Sequence, residues 1–198
     1  MEHSDETGRM PSDSSRPEIF WGELAPCEHL LQIYDDDGVF LDSLERFVLG
    51  GFEGGESVIL IATPPHLAAL EGRLRARDID VGAARRRDQY IPLDAETTLA
   101  RFMVDNWPDD ERFRHAVSEV LVRARHRGRR VRAFGEMVAL LWAQGACGAT
   151  VRLEFLWNNF CRDEGFALFC AYPKAGFTGD ARASVENICA AHSRLVPG

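Results

Sequence analysis

Residues 57–63 read SVILIAT, with five consecutive apolar side chains and no alternation. A strand with one wet face alternates apolar and polar residues; a strand that does not alternate is covered on both faces. This run therefore calls for a sheet with a layer packed on each side. It leads into PPHLAALEGRLRARD, where Leu67, Leu70 and Leu74 share a helical face. Two prolines at the start of that segment suit the first turn of a helix.

The same strand-then-helix rhythm runs along the chain. HLLQIY, DQYIPLD, RRVRAFGE and FALFCAYP read as further strands. Between them, DDGVFLDSLERFVLGGFEGGE reads as a helix with an Asp cap and a glycine stop. AETTLARFMVDNW, DDERFRHAVSEVLVRARHRG, MVALLWAQG, GATVRLEFLWNNFCRDE and DARASVENICAAHSRLV read as the remaining helices. The expected fold class is α/β: a three-layer sandwich with a mainly parallel central sheet and helices on both faces. Residues 1–18 are polar and acidic and read as a disordered tail, leaving residues 19–198 as one domain.

Composition narrows the function classes. The formal net charge of −8 argues against direct nucleic-acid binding. The arginine runs carry no interleaved aromatics and read as solvated helix faces leading into strands. No apolar run reaches the ~20 residues that span a bilayer, and the polar N-terminus resembles no signal peptide, so no membrane is expected and the cytoplasm is the default location. The five cysteines are scattered without a C-x-x-C pair, which suits a reduced compartment.

In such sheets ligands bind beyond the carboxyl ends of the strands. A phosphate loop there needs glycine amides and a lysine. The loop after SVILIAT instead reads TPPH, and the only lysine in the chain, Lys174, is remote in sequence. Thr63 and His66 stand at the lip of the expected crevice. Glu136, after strand RRVRAF, reads either as a polar ligand anchor or as a cap on its own helix, with Phe134 and Trp142 as apolar wall. RLEFLWNNFC puts Glu154, Trp157, Asn158 and Cys161 on one helical face, read either as a ligand or partner surface or as core beside a surface Glu154. Cys27 and His29 could supply two metal ligands, but no complementary pair has convincing spacing; His66 and His192 could join only through the fold. No cofactor and no metal are therefore expected. No nucleophile motif is present, so the chain is expected not to be an enzyme.

Taken together, CEHLLQIYDDDGVFLDSLERFVLGGFEGGESVILIATPPH, RRVRAFGEMVALLW, LEFLWNNFCRDEGFALFCAYP and ICAAHSRLVP resemble the MEDS domain. That sensory domain occurs in the dichloromethane-metabolism regulator DcmR and in many prokaryotic signalling proteins. The resemblance implies a RecA/KaiC-like sheet that has lost its phosphate loop. It implies sensing of a small, hydrocarbon-like ligand, with the signal passed to kinase, DNA-binding or anti-sigma-type modules. His29, Tyr34, Gly135, Glu136, Trp157, Tyr172 and His192 fall on the family's recurrent positions.

The expectation is thus a stand-alone, non-catalytic sensory domain. Its ligand-binding residues would be His29, Tyr34, Thr63, His66, Phe134, Glu136, Trp142, Trp157 and Tyr172. It would relay to a separate signalling protein, a histidine kinase or an anti-sigma-type partner, and a homodimer is compatible with the resemblance. The alternatives are a degenerate nucleotide-binding protein, a metal-dependent sensor or enzyme, and a pure interaction module.

Overall fold

Six parallel strands form the centre of the molecule. The computed structural model describes Ile19, residues 21–176 and residues 182–198; the expected tail at 1–18 lies outside the described residues. The strands are β1 (His29–Tyr34), β2 (Ser57–Ala62), β3 (Tyr90–Asp94), β6 (Val131–Gly135), β7 (Ala167–Pro173) and β8 (Arg194–Val196). A separate two-residue pair, β4 (Met103–Val104) and β5 (Trp107–Pro108), lies outside that sheet. The sheet order is β3-β2-β6-β7-β1-β8, and every pairing in it is parallel.

The helices are α1 (Asp37–Glu53), α2 (Pro64–Ala76), α3 (Val81–Arg86), α4 (Ala95–Ala100), α5 (Asp110–Ala124), α6 (Met137–Ala143), α7 (Cys147–Glu164) and α8 (Arg182–Ala190). They cover both faces, as a parallel sheet requires. One core joins Leu30, Tyr34, Val58, Leu60, Phe134 and Phe169 to apolar residues of α1, α2 and α3. The other joins Leu31, Ile59, Ile61, Ala133, Cys170 and Tyr172 to α4–α8. Successive strand residues therefore feed opposite cores, and β2 is buried at all six positions. The three-layer α/β sandwich anticipated from SVILIAT is the observed architecture.

Helix starts follow ordinary capping chemistry. Asp36 accepts from the amides of Gly38 and Val39, Asp94 from Thr97, and Asp109 from Arg112. Three segments differ from the sequence reading. AETTLARFMVDNW is not one helix: α4 stops at Ala100, and β4 and β5 form an antiparallel hairpin turned by Asp105 and Asn106, both at positive φ. Asp and Asn tolerate that conformation better than most residues, which favours a tight hairpin turn. The final helix ends at Ala190, and Arg194–Val196 instead add β8 to the free edge of β1. Third, VGAARR forms the short helix α3, which the sequence reading did not anticipate.

One arginine of the expected solvated runs is buried. Arg132, in β6, is fully enclosed. Its Nε donates to Glu56 at 2.5 Å, and its Nη1 donates to the carbonyls of Trp21 and Phe47. A charge in such a place needs a partner charge and hydrogen bonds together, and it has both.

Candidate functional site

The expected crevice residues divide between the two faces of the sheet. Tyr34, Thr63, His66, Phe134 and Glu136 gather on the α1–α3 side, whereas His29, Trp142, Trp157 and Tyr172 lie on the α4–α8 side. The sheet stands between the two groups.

On the first side, a carboxylate has taken the loop. α2 begins with Pro64 and Pro65, so only His66 among its first three residues has an amide hydrogen. Thr63, just before it, makes no side-chain cap for the helix. Instead the Thr63 amide donates to Glu136 Oε2 at 2.8 Å, and its hydroxyl reaches the same carboxylate. His66 Nδ1 donates to Glu136 Oε1 at 2.7 Å. Glu136 makes no side-chain cap on α6, its own helix; its charge sits at the N-terminus of α2, where the helix dipole favours an anion. The hydrogen bond it donates to Glu136 is the main reason the His66 imidazole titrates above its ordinary value. Burial, with the nearby charges of Glu136 and Asp37, pushes the Tyr34 phenol upward.

Phe40 of α1 fills the apolar space beside this clamp. Its ring stacks on Tyr34 at 4.8 Å, meets His66 edge-on at 5.0 Å and lies 5.6 Å from Phe134.

On the second side, five polar side chains meet in the core. His29 of β1, Glu154 of α7, Cys170 and Tyr172 of β7, and His192 just beyond α8 are brought together by the β1–β7 pairing and by α7 and α8 packed above it. His29 Nε2 lies 3.4 Å from Cys170 Sγ and 3.6 Å from Glu154 Oε2. His192 Nε2 lies 3.5 Å from the same Glu154 oxygen. The Tyr172 hydroxyl donates to Glu154 Oε1. The two imidazole rings are 3.8 Å apart.

The tautomers follow from the outer partners. His29 Nδ1 faces the Ala191 carbonyl at 3.0 Å, and His192 Nδ1 faces the Ile188 carbonyl at 2.6 Å. A carbonyl only accepts, so each Nδ1 carries a proton, and a neutral ring then turns its Nε2 lone pair inward. Burial pushes every titrating member whose shift is clear toward its neutral form. The His29 imidazole is held well below its usual range by burial and then by His192. The Glu154 carboxyl is raised by burial, and so are the Cys170 thiol and the Tyr172 phenol, each with help from Glu154.

Sequence reasoning included His29 and Tyr172 but missed the set. Glu154 was read as a surface residue in one alternative, yet it is 1% exposed. Cys27, the expected companion of His29, instead directs its thiol toward the Arg162 carbonyl. The available signal was the interruption of apolar runs, by Cys170 and Tyr172 in FALFCAYP and by Glu154 on the apolar face of α7. Their meeting with His29 needed the strand order.

The model of the family named MEDS, the methanogen/methylotroph, DcmR sensory domain, matches residues 28–192. The chain belongs to the MEDS family. A sensory or signalling role follows from that membership. The matched span of this MEDS domain reaches from the residue before His29 to His192, so it contains the entire buried polar set. A comparison with curated proteins found no match. No helix of this MEDS domain, among the described residues, is long and apolar enough to cross a membrane.

A third feature of the domain is apolar. A nearly enclosed space lies between Ile59, Ile61 and Ala133 of the sheet and Val117 and Leu121 of α5. Trp157 borders it, and the buried Trp157 Nε1–H has no acceptor among the described residues. The room for the centre of a water-sized sphere is about 10 Å³, close to the minimum for a single water.

Proposed function

We propose that this MEDS domain is a non-catalytic sensor that takes a small, largely apolar ligand between its sheet and α5. The observation that supports this reading is a nearly enclosed apolar space bordered by Trp157, whose buried indole N–H has no acceptor among the described residues. Ligand sites are mostly apolar with a few placed polar groups, and a buried donor without an acceptor carries a cost that a ligand oxygen or halogen would relieve. Trp157 is therefore the anchor, and the walls are Ile59, Ile61, Val117, Leu121 and Ala133.

The small size of the space supplies the signal. A ligand larger than water must push α5 away from β2, so the bound and free states differ in the position of one helix. A ligand that binds one arrangement better shifts the population toward it. The outer face of α5, where Val122 is exposed, is the surface through which a histidine kinase or anti-sigma-type partner would read that shift.

Nucleotide sensing has less support. A phosphate arriving at the TPPH loop would meet the Glu136 carboxylate already holding the Thr63 amide, and like charges at that distance repel. Native mass spectrometry of gently purified protein, paired with thermal shifts across small haloalkanes, ethers and ketones, tests the reading. A bound small molecule, or stabilisation by part of that panel and by no nucleotide, is expected. An unliganded protein with a flat response to the whole panel would overturn it.

A further inference from the structure

We propose that His29, Glu154, Cys170 and His192 form a four-ligand site for a divalent transition metal of the zinc class. The inference rests on the buried polar set alone and is independent of the apolar ligand reading.

Buried lone pairs converge at the centre of this set. With both Nδ1 protons committed to backbone carbonyls, neutral rings turn His29 Nε2 and His192 Nε2 toward Glu154 Oε2, and with Glu154 ionised all three atoms are acceptors. Glu154 Oε2 and His192 Nε2 have no N–H or O–H donor among the described residues. The single proton of the Cys170 thiol can serve one acceptor, and both His29 Nε2 and Glu154 are in its reach. Such a group of buried acceptors is costly. A cation at their centre satisfies all of them at once.

The spacing of the donor atoms fits a tetrahedral ion. The four donor atoms lie within 4.8 Å of one another. Tetrahedral zinc with N or O at about 2.0–2.2 Å and S at about 2.3 Å sets donor–donor edges of roughly 3.3–3.7 Å. Three edges here are 3.4, 3.5 and 3.6 Å.

The outer partners match as well. A metal-bound histidine usually donates its other N–H to a carbonyl or carboxylate, and a bound carboxylate is itself hydrogen-bonded. Ala191 and Ile188 supply the carbonyls, and Tyr172 donates to Glu154 Oε1. Two neutral imidazoles, one thiolate and one carboxylate carry two negative charges, so a divalent ion leaves the buried centre neutral. Binding releases the Cys170 proton, and a second one when Glu154 starts protonated. Two nitrogens, one sulfur and one oxygen suit zinc, cobalt(II) or iron(II) better than magnesium or calcium. Four protein ligands close the coordination sphere, so the ion ties β1, β7, α7 and the segment after α8 together and is not a reaction centre.

The test uses the whole chain, stripped with chelator and titrated with Zn²⁺ and Co²⁺ salts. The expected result is one ion per chain, a raised melting temperature, and a Co²⁺ spectrum with tetrahedral bands and a thiolate charge-transfer band. Cys170→Ser should lose the charge-transfer band. Tyr172→Phe, which keeps all four ligands, should weaken binding by roughly 10–100-fold. A folded, stripped protein that takes up no stoichiometric ion overturns the proposal. So does uptake that His192→Gln leaves unchanged, or a Co²⁺ spectrum without the thiolate band in the native chain.

Discussion

Glu136 is one residue before α6 in sequence yet works for α2, and its substitution separates those roles. Glu136→Gln removes the charge that Thr63 and His66 share. A loss of about 1–3 kcal/mol is expected by urea denaturation, the usual cost when buried partners lose a charged acceptor. The loss should depend on pH. His66 is raised in the folded state by its bond to Glu136, so the stabilisation is fully present below the ordinary histidine value and fades as pH rises through the folded one. The gap between native protein and Glu136→Gln should therefore be wider at pH 5.5 than at pH 8.5; an unchanged gap would mean that the His66 proton takes no part. Arg132 and Glu56 pose a harsher case. Glu56→Gln leaves an enclosed guanidinium without its counter-charge, and a loss of about 3–5 kcal/mol is expected in the same denaturation. At this scale the sequence placed Glu136 and His66 at the strand ends. It did not say that they bind each other, because a contact between residues 70 apart is set by strand order, not by local pattern.

Helix α1 shows how closely the layers approach. A Cβ on Gly50 would lie 2.3 Å from the Trp21 carbonyl oxygen, a backbone atom that cannot swing away. Gly50→Ala should cost about 1–3 kcal/mol through overpacking. Gly72→Ala in α2 has open space around it and should instead gain about 0.5–1 kcal/mol from helix propensity. Parallel thermal melts of the two variants check both signs. Most elements were legible because hydrophobic pattern and caps agreed: near-continuous apolar runs for β2 and β7, mostly apolar runs broken by Gln32 in β1 and by Arg132 in β6, and aspartates before α1 and α5. The β4–β5 hairpin was not, since its strands are two residues long and leave no period to read. Strand β8 was lost inside a helix reading because SRLV gains its order from the edge of β1, a tertiary cause.

Across the whole molecule, the sheet separates one device from two others. A carboxylate closes the loop of α2 on one side; on the other, an apolar space under α5 lies beside α7, which also carries Glu154 into the buried polar set. Trp157 and Glu154 are three residues apart on that helix, so events at either place act on one rigid element. Of the nine residues expected to share a crevice, those in strands are split because alternate strand positions point to opposite cores, and those in helices follow the face their helix covers; a sequence reading of strand ends cannot distinguish the two sides until register and helix placement are known. The central claim is that a ligand is sensed beside Trp157. The most direct measurement follows the four indole N–H resonances of ¹⁵N-labelled protein, with the Trp157 signal assigned by its loss in Trp157→Phe, while small haloalkanes, ethers and ketones are added. The account predicts that a subset of these compounds shifts the Trp157 signal in a saturable way and leaves exposed Trp107 in place. A Trp157 signal that stays fixed against every compound, or saturable shifts only at Trp107, would contradict it.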